Sequence, residues 1–213
     1  MRPPEDWRQA RVTVAIAAVT ALAWGLAVGL RLGDLAAIWA GFIPARVEGL
    51  SGDESFAPLF ITPLTATLVH AGPWHLLFNL VMLLFCGRSV EVIIGGRQLA
   101  ILYVIGAYIA AAGHYLVGWS DAIPMVGASG AISAILGAYA MLFGRNRVKI
   151  ANPTIALWVN ALWLAAAWIG LQLIVGLTFE TAGSRIAIAA HIGGFLAGLL
   201  LAKPLLLLRY RKA

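Results

Sequence analysis

Residues 186–202 read IAIAAHIGGFLAGLLLA, an apolar stretch long enough to cross a bilayer that carries a single strongly polar side chain, His191. His191, Gly194 and Gly198 are spaced i, i+3 and i+7, so they lie on one face of a helix. Gly194 and Gly198 also have the small-residue spacing that lets two membrane helices approach closely. The stretch therefore predicts a membrane-spanning helix with a smooth, histidine-bearing face.

The whole chain has the composition of a protein solvated by lipid. Of its 213 residues, 62% are hydrophobic and only 11% are charged, and its mean hydropathy is +0.90. Soluble domains have roughly 45–50% apolar residues, so a soluble globule is excluded, and the long uncharged segments exclude disorder and a nucleic-acid-binding domain. The lone cysteine, Cys86, excludes a disulfide framework and a Cys-rich metal site. We expect one all-α membrane domain over residues 1–213.

Six segments are apolar enough to be membrane-spanning helices. They lie at 12–30, 74–94, 98–118, 129–143, 154–177 and 186–202, with a long outer loop at 31–73. The first segment lacks a clear cleavage site, so we interpret it as a retained span rather than a signal peptide. The fourth is short and follows a Gly- and Pro-rich segment. Its start is therefore expected below the membrane surface, in a protein-lined or wet cavity.

The charges divide between the two sides of such a bundle. With the N-terminus inside, 12 of the 15 Lys and Arg residues fall in inner segments, and six of the nine acids fall in outer segments. The result is a net +9 inside and −3 outside, which together give the +6 of the chain. Because Lys and Arg favour the cytoplasmic side of short loops, we predict six helices with both termini in the cytoplasm. The basic C-terminal tail is interpreted as an anchor to anionic lipid rather than a nucleic-acid site.

Strongly polar side chains are costly within a bilayer, so the few that occur in the predicted spans mark candidate sites. His75, Ser129 and His191 each fall at or near the outer end of a span, and Asn79 lies one turn after His75 on the same face. Ser129 and Ser133 belong to a stripe of small residues that could pack on the glycine stripe of the sixth span. The Ser129 hydroxyl would then lie within hydrogen-bond reach of the His191 ring.

A serine beside a histidine is the minimum for an activated nucleophile, because imidazole can take the hydroxyl proton and return it to a leaving amine. No acid lies near either residue in the sequence, so the pair would act as a dyad. His75 and Asn79 could donate N–H groups to an oxyanion, together with the backbone N–H of Ser129 at a helix start. Gly127 and Gly130 flank that serine and would admit the backbone close to a substrate.

Each signal also has a plainer interpretation. The sequence GASG at 127–130 is what small-residue helix packing produces, and it is not the G-x-S-x-G elbow, because Ala131 occupies the fifth place. His70 and His75 could take part in a metal site, but no Cys or acid completes a ligand set, so no metal is predicted. Three tryptophans spaced five apart do not share a helix face and are interpreted as lipid or core packing: Trp158, Trp163 and Trp168.

Taken together, these motifs resemble those of the rhomboid intramembrane serine proteases. The resemblance runs from about residue 70 to residue 198 and rests on HAGPWHLLFN at 70–79, GASG at 127–130 and AHIGGFLAG at 190–198. It implies that Ser129 is the nucleophile and that His191 is the general base and then the acid. His75 and Asn79 would be the oxyanion donors. The resemblance further implies structural support from the following residues: His70, which would brace the outer loop, Glu91, Gly127, Gly130, Gly194 and Gly198.

The resemblance also implies a fold and an activity. The fold is a six-helix bundle with the nucleophile below the outer surface, at the foot of a water-filled cavity. The activity is hydrolysis of a peptide bond in or beside the transmembrane helix of another membrane protein, single-pass or multi-pass, with no cofactor and no nucleic acid partner. We expect a multi-pass protein of the cell membrane, as in a bacterial inner membrane.

The sequence departs from the family pattern at two places. Ile61 and Thr62 stand where the family often has Trp-Arg, and Ser133 stands where an aromatic residue often stacks on the catalytic histidine. These departures concern the anchoring of the outer loop and the rigidity of the imidazole. Two other functions stay open: a catalytically silent relative that binds membrane helices, and a small-solute transporter. The missing internal repeat and the clustering of polar groups at one face argue against the transporter.

Overall fold

Apolar helices make up most of the chain. The computed structural model describes residues 7–50, 57–143, 152–178 and 188–211. The longer helices in these ranges are α1 (Arg11–Gly29), α4 (Pro73–Met82), α5 (Arg88–Ile94), α6 (Gly96–Val117), α7 (Ser129–Phe143), α8 (Pro153–Thr178) and α9 (Ile188–Tyr210). The shorter elements are α2 (Gly33–Ala40), α3 (Thr62–Thr65) and 3₁₀ turns at Trp7–Gln9, Pro44–Arg46, Leu59–Ile61 and Ala66–Leu68.

Within the described ranges, five helices are long and apolar enough to cross a membrane. They are α1, the continuous helix Pro73–Ile94, α6, α8 and α9. The continuous helix consists of α4 and α5 joined by a π-helical turn, Leu83–Gly87. The fourth predicted span corresponds to α7, which has only 15 residues, fewer than the ~20 that a full crossing needs. The chain is thus an all-helical, multi-pass membrane protein.

The sixth predicted span, 186–202, corresponds to a helix that extends past residue 202, and the span boundary itself stays a prediction. Helix α9 continues to Tyr210 with Pro204 inside it, whereas the predicted start at 186 lies outside the described residues. A proline removes one backbone hydrogen bond from a helix interior. The following Leu205 is only 3% exposed, so its packing against the bundle keeps the helix continuous past the proline.

The short helix α7 lies at the centre of the bundle. Every residue from 129 to 138 is buried, because α6 and α9 pack against it closely. A Cβ on Gly198 would overlap the carbonyl oxygen of Ala134, and a Cβ on Gly194 would overlap that of Gly130. The predicted glycine face of α9 therefore contacts the backbone of α7.

Helix α6 approaches α7 by the same means. A Cβ on Gly130 would lie 2.5 Å from the Cβ of Ala110, and a Cβ on Gly106 would lie 2.5 Å from that of Ala134. Real Cβ atoms do not approach one another this closely. Small residues on three helices therefore set the distance between their axes, as expected where lipid gives helices no hydrophobic reason to associate.

Helix α1 is attached at its N-terminal end by one buried carboxylate, Glu91. It accepts hydrogen bonds from the backbone amides of Val12 (2.9 Å) and Thr13 (2.7 Å) and from the Thr13 hydroxyl (2.7 Å). The first amides of a helix have no partner within it and carry a partial positive charge, so a carboxylate there is stabilising. The structural role expected for Glu91 is that of a cap supplied by a neighbouring helix.

The segment predicted as the outer loop, 31–73, contains α2, α3 and several turns in its described part. It is joined by backbone hydrogen bonds to the stretch that precedes α7. Phe42 and Met125 exchange two of them, at 3.0 and 2.8 Å, and the amide of Gly127 donates to Ala66 O at 2.9 Å. The segment therefore holds the entrance to α7 in place.

We predict that Gly198→Ala destabilises the bundle, because the new methyl group would overlap the backbone of α7. The free energy of unfolding should fall by about 1–3 kcal/mol or more, measured as a lower thermal midpoint in detergent. Gly25→Ala in α1 is the matched control, since nothing lies within 4 Å of a Cβ there, and alanine is the better helix former. Equal midpoints for the two variants would show that α7 and α9 are not held at backbone contact.

Candidate active site

Ser129 is the first residue of α7, so its backbone amide has no carbonyl in a preceding turn to bind. The chain enters the helix through Gly127, whose φ of +111° is a conformation that residues with a side chain rarely adopt. The Gly127 amide is fixed by its bond to Ala66 O. The serine thus lies at a turn that is held from outside the helix, with a backbone N–H donor beside it.

His191, in the first turn of α9, contacts this serine. Its Nε2 lies 2.8 Å from Ser129 Oγ, although the two residues are 62 positions apart in the chain. Ser129 is 6% and His191 4% exposed. The glycine contact between Gly194 and Gly130 lies one turn away and brings the two helices together at this level.

The other ring nitrogen of His191, Nδ1, is buried and has no hydrogen-bond partner among the described residues. In a Ser-His-Asp triad, a carboxylate bound at this nitrogen orients the ring. Among the described residues, the His191 ring is thus bonded to Ser129 through one nitrogen and has no carboxylate at the other. The orientation of the ring depends on the packing around it.

His75 and Asn79 lie one turn apart on α4, next to the entrance to α7. The His75 ring lies against Gly127, where a Cβ would be 2.6 Å from His75 Cε1 and 2.7 Å from Nε2. The positive φ of Gly127 and its contact with His75 therefore both exclude a side chain at this position. Asn79 is fully buried, at 0% exposure. Its Nδ2 donates to the His75 carbonyl at 2.7 Å, which leaves the second amide hydrogen for another acceptor.

His70 lies outside the membrane-spanning helices and packs edge-on against His75, with ring centroids 5.0 Å apart. Its carbonyl accepts a hydrogen bond from Trp24 Nε1 of α1 at 3.2 Å. Burial, and then the neighbouring His75, lower the pKa of His70 from 6.5 to about 3. His70 therefore links α1, the outer segment and α4 as a neutral ring.

The outer segment is anchored without the Trp-Arg pair that the family often has. At that place Thr62 is fully buried, at 0% exposure, and its hydroxyl donates to Leu59 O at 2.8 Å. Thr65 Oγ1 donates to Ala40 O at 2.7 Å, which ties α3 to α2. Local threonine bonds, the bond from Arg46 to Ala57 O at 3.1 Å and the backbone pairing with Met125 hold the segment instead.

Ser133, the second departure, has a specific partner. Its hydroxyl donates to Ser129 O at 2.7 Å and accepts from Trp168 Nε1 of α8 at 2.7 Å. The Trp168 indole lies beside the His191 ring, with centroids 6.3 Å apart and planes 56° apart.

The interpretation of the three tryptophans of α8 as lipid or core packing therefore misses a residue that contacts the site. Trp158 is 49% and Trp163 66% exposed, whereas Trp168 is 2% exposed. A buried indole N–H needs an acceptor, and Ser133 is a polar residue in an apolar helix. A tryptophan donor on one apolar helix and a serine acceptor on another are the sequence features that could have indicated the contact between Trp168 and Ser133.

In the described part of the chain, no three His, Cys, Asp or Glu side chains lie together as a metal site requires. The expectation that no metal takes part stays a prediction.

Comparison with known proteins gives one family. The model of the Rhomboid domain matches residues 59–208, which is more than two thirds of the chain and includes every residue of the site.

Three similar proteins carry related names. Rhomboid-related protein 2 of Mus musculus is 31% identical over 134 residues, 62% of this chain and 43% of that protein. The Rhomboid protease GlpG of Pectobacterium atrosepticum is 30% identical over 137 residues, 63% of this chain and 45% of that protein. The Rhomboid protease GluP of Bacillus subtilis is 30% identical over 142 residues, 67% of this chain and 25% of that protein. The chain spans less than half the length of these relatives.

We predict that His70 makes stability depend on pH. The folded chain keeps this ring neutral down to about pH 3, whereas the unfolded chain protonates it below about 6.5. The unfolded state then binds more protons, so stability falls as the pH falls through this window. His70→Leu should lose packing at every pH but should show a weaker decline in thermal midpoint between pH 6.5 and 4. Parallel midpoint curves for the two proteins would contradict the prediction.

Proposed function

The chain belongs to the rhomboid family, and on that premise we propose that it is an intramembrane serine endopeptidase with Ser129 and His191 as its catalytic dyad. The observation that carries the proposal is the 2.8 Å approach of His191 Nε2 to Ser129 Oγ. Two neutral polar groups that meet inside an apolar bundle need a reason to be there, since such groups are costly at membrane depth. Proton transfer between them is that reason.

The geometry supports acyl transfer in two stages. His191 Nε2 takes the Ser129 proton as Oγ bonds to the scissile carbonyl carbon, and the imidazolium then gives that proton to the leaving amine as the C–N bond breaks. A water molecule next attacks the acyl-enzyme, with the same nitrogen as base. The proton returns to Ser129 Oγ when the acid product leaves. No cofactor takes part in these steps.

His75, Asn79 and the Ser129 amide are the proposed oxyanion donors. Their support is positional: the His75 ring lies against Gly127, two residues before the serine. Asn79 lies one turn after His75 on α4 and has a second amide hydrogen that its bond to His75 O does not use. Donors fixed in advance by packing and by their own helix lose little energy in reorganisation when charge develops on the substrate oxygen.

The proposed substrate is the transmembrane helix of another membrane protein, single-pass or multi-pass. Ser129 and His191 are both buried, so a substrate must present an extended segment rather than a globular surface. A helical amide is hydrogen-bonded and shielded by its neighbours, so the substrate must unwind locally before attack. Small residues at the cut and helix-weakening residues after it fit this requirement.

We also propose six spans with both termini in the cytoplasm of a bacterial cell, α7 being the short fourth span. The ends of α1 and α6 that carry Arg11 and Arg97 lie together, since a Cβ on Gly96 would contact both Val12 and Glu91. Arg209 joins them through its bond to Val92 O. The cationic residues therefore gather at the end opposite to the dyad, as the positive-inside rule requires if the site faces outward.

We predict that Ser129→Ala and His191→Ala each abolish cleavage of a helical membrane substrate in detergent or liposomes. Removing either member takes away the nucleophile or its base, and serine protease dyads and triads lose nearly all activity in this way. Labelling of the wild-type protein at Ser129 by a fluorophosphonate should be lost in both variants. Asn79→Ala should keep Ser129 reactive and lower the turnover by about 10²–10³-fold, the effect of one oxyanion donor.

Trp163→Phe on the exposed face of α8 is the control and should cleave as the wild type does. Undiminished cleavage by Ser129→Ala would overturn the proposal. A wild-type chain that binds helical substrates but never labels would instead identify a catalytically silent relative. Solute uptake into vesicles that survives Ser129→Ala would identify a transporter.

The proposed topology predicts which ends an impermeant reagent reaches. In a Cys86→Ala background, Leu50→Cys in the outer segment should react with a membrane-impermeant maleimide on intact cells, because Leu50 is 63% exposed. Arg211→Cys, at the end of α9, should react only after the membrane is opened. The reverse pattern, or labelling of both in intact cells, would refute the orientation.

A further inference from the structure

The Ser129–His191 pair lacks the third group that usually holds a catalytic imidazole. Nδ1 of His191 is buried and has no partner in the described part of the chain. A ring bonded at one nitrogen can still turn about its own Cα–Cβ and Cβ–Cγ bonds. A rotation that moves Nε2 by about 1 Å can cost on the order of 10²-fold in rate. Something other than a carboxylate must limit this motion.

The indole of Trp168 is placed to do so. Its ring centroid is 6.3 Å from that of His191, at an angle of 56°, within the range of favourable aromatic contacts. Trp168 is itself fixed, because its Nε1 donates to Ser133 Oγ at 2.7 Å and the side chain is 2% exposed. An immobile ring beside His191 restricts the positions that the imidazole can take.

Ser133 connects this contact to the nucleophile. Its hydroxyl has one hydrogen, which it donates to the carbonyl of Ser129 at 2.7 Å, and its oxygen accepts the indole N–H. The residue that presents the nucleophile and the residue that flanks the base are thus joined through a single hydroxyl. The side chains of Ser129, Ser133 and Trp168 are all buried.

We propose that Trp168 is a positioning residue for His191, held in place by Ser133, so that α8 supplies the lateral support that a carboxylate gives in a triad. This inference rests on the proposed function, because it assigns a role in the same dyad. The role is to fix the imidazole with Nε2 towards Ser129 Oγ. Trp168 does not contact the substrate or exchange protons, and it acts only through His191.

The decisive variant is Trp168→Leu, compared with Trp163→Leu. Both remove an indole from α8, but Trp163 is 66% exposed and touches neither member of the dyad. Activity is expressed per active site titrated with a fluorophosphonate, so that loss of folded protein does not count. Trp168→Leu should lower kcat and the rate of Ser129 labelling by about 10–100-fold, with KM within about twofold. Trp163→Leu should match the wild type.

Two milder variants keep the proposal testable if Trp168→Leu folds poorly. Trp168→Phe keeps a ring beside His191 but loses the N–H, and Ser133→Ala removes the acceptor of the same bond. Each should lose about 2–10-fold in kcat, the effect of one neutral hydrogen bond. Both variants remove the Trp168–Ser133 hydrogen bond, so the double variant should lose less than the sum of the two single losses. A merely structural role would lower thermal midpoints and leave kcat per labelled site unchanged.

The outcomes distinguish the positioning role of Trp168 from the proposed protease function. If the wild type labels and cleaves while Trp168→Leu, Trp168→Phe and Ser133→Ala match Trp163→Leu per site, the positioning role is overturned and the protease function stands. If additive losses appear in the double variant, the link through Ser133 is refuted. If the wild type neither labels nor cleaves, the proposed function fails and the positioning role fails with it.

Discussion

Helices α7 and α9 touch backbone to backbone, and the site depends on that contact. Gly194 follows His191 by three residues and lies against the carbonyl of Gly130, which directly follows Ser129. The distance between the serine hydroxyl and the imidazole is therefore set one turn away, by the absence of a side chain at Gly194. Because small residues continue along both helices, a shift at one level would require a shift along the whole interface. The same contact explains why a helix of 15 residues, too short for a full crossing, is nevertheless the most enclosed element.

Much of this arrangement could be predicted from the sequence, because a bilayer restricts the length of a spanning helix and the polar side chains that it carries. Apolar segments of about 20 residues identify helices without knowledge of their neighbours, and the spacing of His191, Gly194 and Gly198 fixes a face by helical geometry alone. Polar residues are rare at membrane depth, so the meeting of Ser129 and His191 could be expected from two helices considered separately. The last helix extends past the predicted span because a proline is tolerated inside it, next to Leu205, which is buried in the bundle.

The rest could not be predicted, because it depends on tertiary placement. Three tryptophans on α8 have similar surroundings in sequence, and only the position of α8 against α7 decides that Trp168 is buried while Trp163 is exposed. The attachment of the outer segment is equally hidden. It relies on main-chain bonds such as those between Phe42 and Met125, and every residue has the same main-chain groups. A sequence pattern describes side chains. It can therefore predict the residues of the site, but not the main-chain hydrogen bonds that hold the site in place.

The distribution of charge is consistent with the proposed dyad, which has no carboxylate beside it among the described residues. The buried Glu91 satisfies its charge with three hydrogen bonds from the end of α1, at the end of the bundle away from Ser129. A second buried carboxylate beside His191 would need comparable partners, since an unpaired buried charge is far more costly than an unpaired buried nitrogen. The surroundings of α7 offer few such partners, because its buried residues are mostly Ala, Gly, Ile and Leu. A serine and an imidazole are both neutral at rest, so they can lie there, but Nδ1 is then left without an anion to orient it. The ring must be oriented by the shape of its surroundings. The side chains that pack on His191 are therefore part of the proposed catalytic arrangement, in addition to holding the helices together.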